Sequence, residues 1–175
     1  MVITSGNITR SNTNSQSFAN LYNLLNNKTN VPDPIFTNST RKFVYAREPD
    51  AQNLNSDGYP FIIIRPARIT TRDYTLDAGS SWFDFEFEIE IRCTDRVRGK
   101  EGSGNYAIGI QYVDEITDDI IKTLNDKTNR LVLNAYGMGT FLIETEDVDA
   151  DDIEGDVVWI RRIMLKSKGR LKGGI

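Results

Sequence analysis

The chain has no histidine and one cysteine, Cys93, in 175 residues. Without imidazole, Ser-His-Asp and Cys-His catalysis are excluded. So are histidine-ligated zinc, copper and haem, and imidazole acid/base chemistry. A lone thiol forms no internal disulfide, and thiolate zinc sites and iron–sulfur clusters need several. What chemistry remains is that of carboxylates, lysines or an oxygen-ligated metal. No apolar run approaches the ~20 residues needed to cross a bilayer. The first residues, MVITSGNITRSNTNSQS, lack the basic and apolar regions of a secretory signal. The expectation is a soluble protein of the cytoplasm, or of an assembly made there, with no membrane partner. The formal net charge is −4 and the sequence pI near 4.9, a balance that gives no sign of nucleic-acid specificity. A chain of this length fits one domain, and 39% hydrophobic residues supply its core.

What is present in strength is one alternating segment, WFDFEFEIEIRC, at Trp82–Cys93. Phe83, Phe85, Phe87, Ile89, Ile91 and Cys93 alternate with Asp84, Glu86, Glu88, Glu90 and Arg92. Strand side chains alternate between faces, so this is a long strand with one buried and one charged face. Cys93 falls on the apolar side, where it serves as a small buried hydrophobe. The charged side cannot lie under a covering layer unless it is paired. The sheet is therefore expected to have an open, acidic side facing water or another subunit.

Around that strand the pattern reads as α+β. Residues 1–16 form a polar, flexible N-terminal arm. Ser17 reads as an N-cap, followed by a short helix with Phe18, Leu21, Tyr22 and Leu25 on one face. Lys42–Glu48 reads as a short strand. Phe61–Ile64 is apolar on both faces, as in a central strand, and Pro66 marks an edge, bulge or bend. A long amphipathic helix spans Tyr106–Asp126, with Tyr106, Ile110, Val113, Ile116 (or Thr117), Ile120 and Leu124 on its apolar stripe, and Asn125–Asn129 closes it. Leu131–Leu133 and Thr140–Glu146 suit a hairpin, Asp147–Asp156 an acidic loop, and Val157–Lys168 the last strand. The predicted architecture is a single, mainly antiparallel or mixed sheet with helices packed on one face. One domain spans 17–168, and a basic tail occupies 169–175.

Four segments invite a chemical reading. In Asp147–Asp156 the residues Asp147, Asp149 and Asp151 resemble the first ligands of an EF-hand loop. The required glycine is replaced by Asp152 and the bidentate glutamate by Val158, so a solvated acidic loop is the better reading. The row Asp84, Glu86, Glu88 and Glu90 could hold paired carboxylates, but four acids along one strand suit a solvated or partner-facing surface, with Arg161 or Lys166 as cross-strand partners. Gly99–Gly104 lacks phosphate-loop spacing. The tail Lys166–Lys172 alternates basic residues, including Lys168 and Arg170; it could touch nucleic acid, and an acidic protein surface suits it at least as well.

The order of Tyr59–Ile64, Phe83–Ile91, the helix Tyr106–Leu124 and the strand Val157–Leu165 resembles the tail terminator (tail-completion) proteins of long-tailed bacteriophages. In that family an N-terminal helix precedes a YP-aliphatic strand, then a long alternating strand, a long helix and a closing strand. The likeness covers most of residues 17–168. The polar arm, the acidic loop and the basic tail depart from it. The resemblance implies a ring, usually of six copies, that caps the finished tail tube, stops its polymerisation and meets the head connector or neck protein. It implies no cofactor, no metal and no catalysis. In such a ring, Lys166, Lys168 and Arg170 would dock on a neighbour's Asp147, Asp149, Asp151 and Asp152, or on its Glu86, Glu88 and Glu90. The alternatives are another neck component or a tube subunit, and a small carboxylate-dependent or calcium-binding module.

Overall fold

Alternation decides the layering. In the computed structural model, which describes residues 13–35, 41–49, 58–72, 80–94, 109–135, 138, 140–153 and 156–172, the acidic strand is β3, Ser80–Thr94. Its Phe85, Phe87, Ile89, Ile91 and Cys93 are at most 1% exposed and face the helices. Each large apolar side chain so buried contributes about 1.5–3 kcal/mol relative to exposure. β3 lies between β2 (Phe61–Arg72) and β6 (Asp156–Lys172), antiparallel to both. β1 (Val44–Tyr45) runs parallel to β2 at one edge, and β4 (Thr140–Thr145) is antiparallel to β6 at the other. β5 (Asp149–Ile153) also pairs with β6. The fold is α+β: among the described residues, one mixed sheet of six strands with three helices.

The helices cover one face. α1 (Thr13–Leu25) buries Leu21 and Leu25 and rests Phe18 6.4 Å from the Phe87 ring. The Tyr22 hydroxyl donates to the Val44 carbonyl at 3.0 Å, tying α1 to β1. α1 begins before the expected start, and Ser17 is a buried residue within it, not its cap. The Ser/Thr/Asn-rich approach offers several equivalent cap residues, so spacing alone could not choose one. The rest of the expected arm, 1–12, lies outside the described residues.

α2 (Gly109–Asn125) lies across β3 and β6 and buries Tyr112, Val113, Ile116, Thr117, Ile120, Thr123 and Leu124, close to the expected stripe. Tyr106 lies outside the described residues. Ile62 and Ile64 of β2 face this core, while Phe61 and Ile63 are buried on the opposite side of the sheet. The two-sided apolar run at Phe61–Ile64 thus fits two-sided burial. Pro66 marks a register shift between Pro66 and Arg68, the bulge its missing N–H favours.

Three expectations change. α2 does end at Asn125, within the expected Asn125–Asn129 closure, but a further helix follows at once. The Asp126 carboxylate accepts the Thr128 and Asn129 amides at 2.9 and 3.0 Å, which starts α3 (Lys127–Ala135). Leu131–Leu133 is therefore helical, not a hairpin strand; Leu133 is buried, and Leu131 and Val132 are 62% and 46% exposed. Three apolar residues are too few to separate a period of 2 from 3.6. The acidic loop is mostly strand, because Asp149–Ile153 pairs with Asp156–Ile160. The basic tail also continues as strand to Lys172, which pairs with Ser80.

α2 starts in close contact with the sheet. A Cβ on Gly109 would lie 2.7 Å from Trp159 Cδ1 and 2.9 Å from the Thr94 carbonyl carbon and oxygen. Backbone cannot yield as a flexible side chain can. Gly109→Ala is therefore expected to destabilise the fold by about 1–3 kcal/mol, read from urea unfolding. An unchanged midpoint would mean that α2 is not seated there.

Candidate functional site

The face of the sheet turned away from the helices is built by parity, and it is less open than expected: Phe61, Ile63 and Glu90 are buried on it. Every β3 residue between the buried ones points away from the helices: Asp84, Glu86, Glu88, Glu90 and Arg92. The register places Glu86 beside Arg68 and Lys166, Glu88 beside Arg65, Glu90 beside Arg162, and Asp84 beside Lys168. Acidic β3 thus lies between basic residues of β2 and β6 in one chain.

Glu90 is the centre, 2% exposed although it is charged. Its Oε1 accepts Arg92 Nε at 2.6 Å, and its Oε2 accepts Arg162 Nε at 3.2 Å and Arg65 Nη1 at 3.4 Å. Arg65 also donates to Glu88 at 3.1 Å and to Glu48 at 2.7 Å. Arg92 donates to Glu48 as well, so the segment after β1 is tied over the face by a carboxylate that two strands share. Arg162 reaches Asp149 at 3.3 Å. Burial lowers the Arg162 pKa, but the attraction and hydrogen bond of Glu90, with Glu146 and Glu88 adding to them, raise it overall.

The expected interface residues thus separate into sets. Glu86, Glu88 and Glu90 share one row with Lys166 and Lys168 flanking them. Lys166 donates to Glu144 of β4 at 2.5 Å; that bond is the largest cause of its raised pKa, and with the charges of Glu144 and Glu86 it outweighs the lowering effect of burial. Asp147, Asp149, Asp151 and Asp152 are exposed along the far edge. Arg170 pairs with Trp82 in the ladder. The Lys166–Glu86 row is therefore matched within one chain. Arg161, expected as a partner for the acids, belongs to the other face: it lies opposite Ile91 and pairs with Asp114 of α2 at 2.7 Å. A shift of one residue inverts the face, and Arg162 takes the role.

Sequence reasoning missed a second buried carboxylate. Asp33, 2% exposed, accepts Arg41 Nε at 2.9 Å and Nη2 at 2.6 Å. Arg41 also donates to the carbonyls of Gly58 and Pro60, which locks the entry to β2. Pro32-Asp33-Pro34 signals a turn, but its partner is eight residues away and nothing local marks it. A polar depression lined by Asn30, Asp119, Lys122, Asp126 and Asn129 lies where the end of α2 meets the segment after α1. No group of three or more metal-ligating side chains occurs among the described residues.

Both oxygens of Glu90 are taken up by guanidinium N–H groups, so neither is aimed at a substrate. The arrangement joins three strands and the segment after β1. No family model matches the chain, and no curated protein matches it in sequence.

Glu90→Ala is expected to cost about 1–3 kcal/mol in chemical unfolding, because Arg65, Arg92 and Arg162 lose their shared buried acceptor while keeping Glu48, Glu88 and Asp149 as outer partners. A loss below about 1 kcal/mol would show that the arginines find water instead. Alkaline pH should also weaken the fold. Burial, with Tyr45 nearby, raises the Tyr22 pKa above its usual 10.0, and Lys166 is raised above its usual 10.5. Both groups hold their protons more tightly when folded, so their stabilisation is complete below the unfolded values and is lost as pH rises through the folded ones. Unfolding midpoints should fall above pH ~10, and less steeply in Tyr22→Phe. An identical slope in that variant would remove Tyr22 from the account.

Proposed function

We propose that this chain is a structural virion protein of the tail-terminator type. It closes as a homomeric ring, of six copies by the resemblance, on the end of a phage tail tube, ends tube polymerisation and offers its far side to the head connector or neck protein. The supporting observation is the order of elements: α1, then Tyr59-Pro60 leading into β2, then 15-residue β3, 17-residue α2 and 17-residue β6. That is the order the resemblance implies, and it builds a broad sheet with helices on one face. The charged face also supports an architectural role, since its most buried carboxylate is occupied by ion pairs. No cofactor or catalysis belongs to this reading. Its place is the virion, and no described helix is long and apolar enough to cross a membrane.

Native mass spectrometry over a concentration and salt series, followed by addition to purified tail tubes, tests the proposal. The expected result is a closed ring that binds tube ends and stops their growth. Open-ended growth would replace it with a tube subunit. A stable dimer that leaves tube ends untouched would overturn the ring.

A further inference from the structure

The two edges of the sheet carry opposite charge. On one side, β4, Glu146 and β5 form a continuous border along β6. β4 pairs with Ile163–Lys168, the Glu146 amide donates to the Arg162 carbonyl at 2.9 Å, and β5 pairs with Asp156–Ile160. This border, Thr140–Ile153, holds Glu144, Glu146, Asp147, Asp149, Asp151 and Asp152, all exposed, and no lysine or arginine. On the other side, among the described residues, the strand along the outer edge of β2 is β1, which pairs with Ile62 and Ile63. Beyond that the β2 border holds Arg65, Arg68 and Arg72 and no acid.

Part of this charge finds no ion pair among the described residues: that of Asp147, Asp151 and Arg68, all exposed. Two of the exposed large apolar side chains lie with the acidic border: Leu142 on β4, 55% exposed, and Val157, opposite Asp152, 43% exposed.

We propose that the acidic border of one copy pairs with the basic border of the next, continuing the sheet from subunit to subunit. The direction follows from the ladder. β2 and β6 run the same way, so β2 of the next copy would lie antiparallel to β4 or β5. Pro66 and the bulge beside it interrupt the β2 border, which leaves Arg68–Arg72 to pair. That stretch matches the length of β5, Asp149–Ile153. Charge also selects the symmetry. Acidic on acidic and basic on basic repel, so a two-fold contact between like edges is disfavoured and a head-to-tail contact is left. A head-to-tail contact that closes is a ring.

This inference rests on the ring reading and deepens it. The test is a charge swap, with D147K/D151K on the acidic border and R68E/R72E on the basic one. Circular dichroism and thermal melting check that each variant folds. Native mass spectrometry then follows wild type, each variant and their equimolar mixture. The proposal expects wild-type assemblies that weaken with salt, loss of assembly in each variant alone, and its return on mixing, because each altered edge then meets its complement. Variants that assemble like wild type would overturn the edge contact while leaving a ring built on another surface. A mixture that stays monomeric would overturn the pairing of these two borders. A wild type monomeric at every concentration would overturn edge pairing as sufficient for assembly, and tube capping would then judge the terminator reading separately.

Discussion

The burial of Glu90 is the constraint on which the charged face depends. A carboxylate removed from water is tolerated only when its oxygens are occupied, and here Arg65, Arg92 and Arg162 occupy them from β2, β3 and β6. Each arginine has to be on the correct face of its strand. The register of all three strands is therefore tied to one side chain, since a slip of one residue would send an arginine into the apolar layer. Arg161 illustrates the alternative: one position from Arg162, it lies on the helix side and needs Asp114 of α2 as its own partner. Ion pairs of this kind add little net stability when exposed, and their larger effect here is to exclude other registers.

The apolar layer is less particular. Phe85, Phe87, Ile89 and Ile91 supply area that α1 and α2 cover, and volume-conserving changes there would keep the fold. The two faces of β3 thus have different roles. The inner face contributes stability through burial, and the outer face contributes alignment through charge. Glu48 extends the alignment beyond the sheet by bonding both Arg65 and Arg92, so the segment after β1 is positioned by the same lattice. Asp33 and Arg41 do the same at the entry to β2.

How much was legible in the sequence follows from the reach of each signal. The alternation in β3, the stripe on α2 and the bulge at Pro66 are local patterns, and each is where its pattern puts it. α3 was hidden because its start depends on a single cap, Asp126, directly after α2. β5 was hidden because Asp149–Ile153 has almost no strand propensity; its partner strand, β6, determines it. The acids Glu86, Glu88 and Glu90 were visible as a row, and that the row needed pairing was also visible. Which arginines pair with it was not, because Arg65 and Arg162 are brought to Glu90 by register across three strands.

The same register explains why the outer borders differ from the middle. Between β2 and β6 lies β3, with a neighbour on both sides, and charges of opposite sign alternate across the three strands. At the borders the alternation stops. Past the basic row of Arg65 and Arg68 on one side, and past the acidic row from Glu144 to Asp152 on the other, no further strand follows among the described residues. Placing a second copy beside the first supplies the next strand on both sides at once and continues the basic–acidic–basic order across the junction. Open edges invite indiscriminate strand addition, and charge of one sign along each edge restricts it to a complementary partner. Under the proposed pairing, a sheet whose interior and borders follow one charge sequence would serve as a repeating unit, its acidic edge complemented by the basic edge of the next copy.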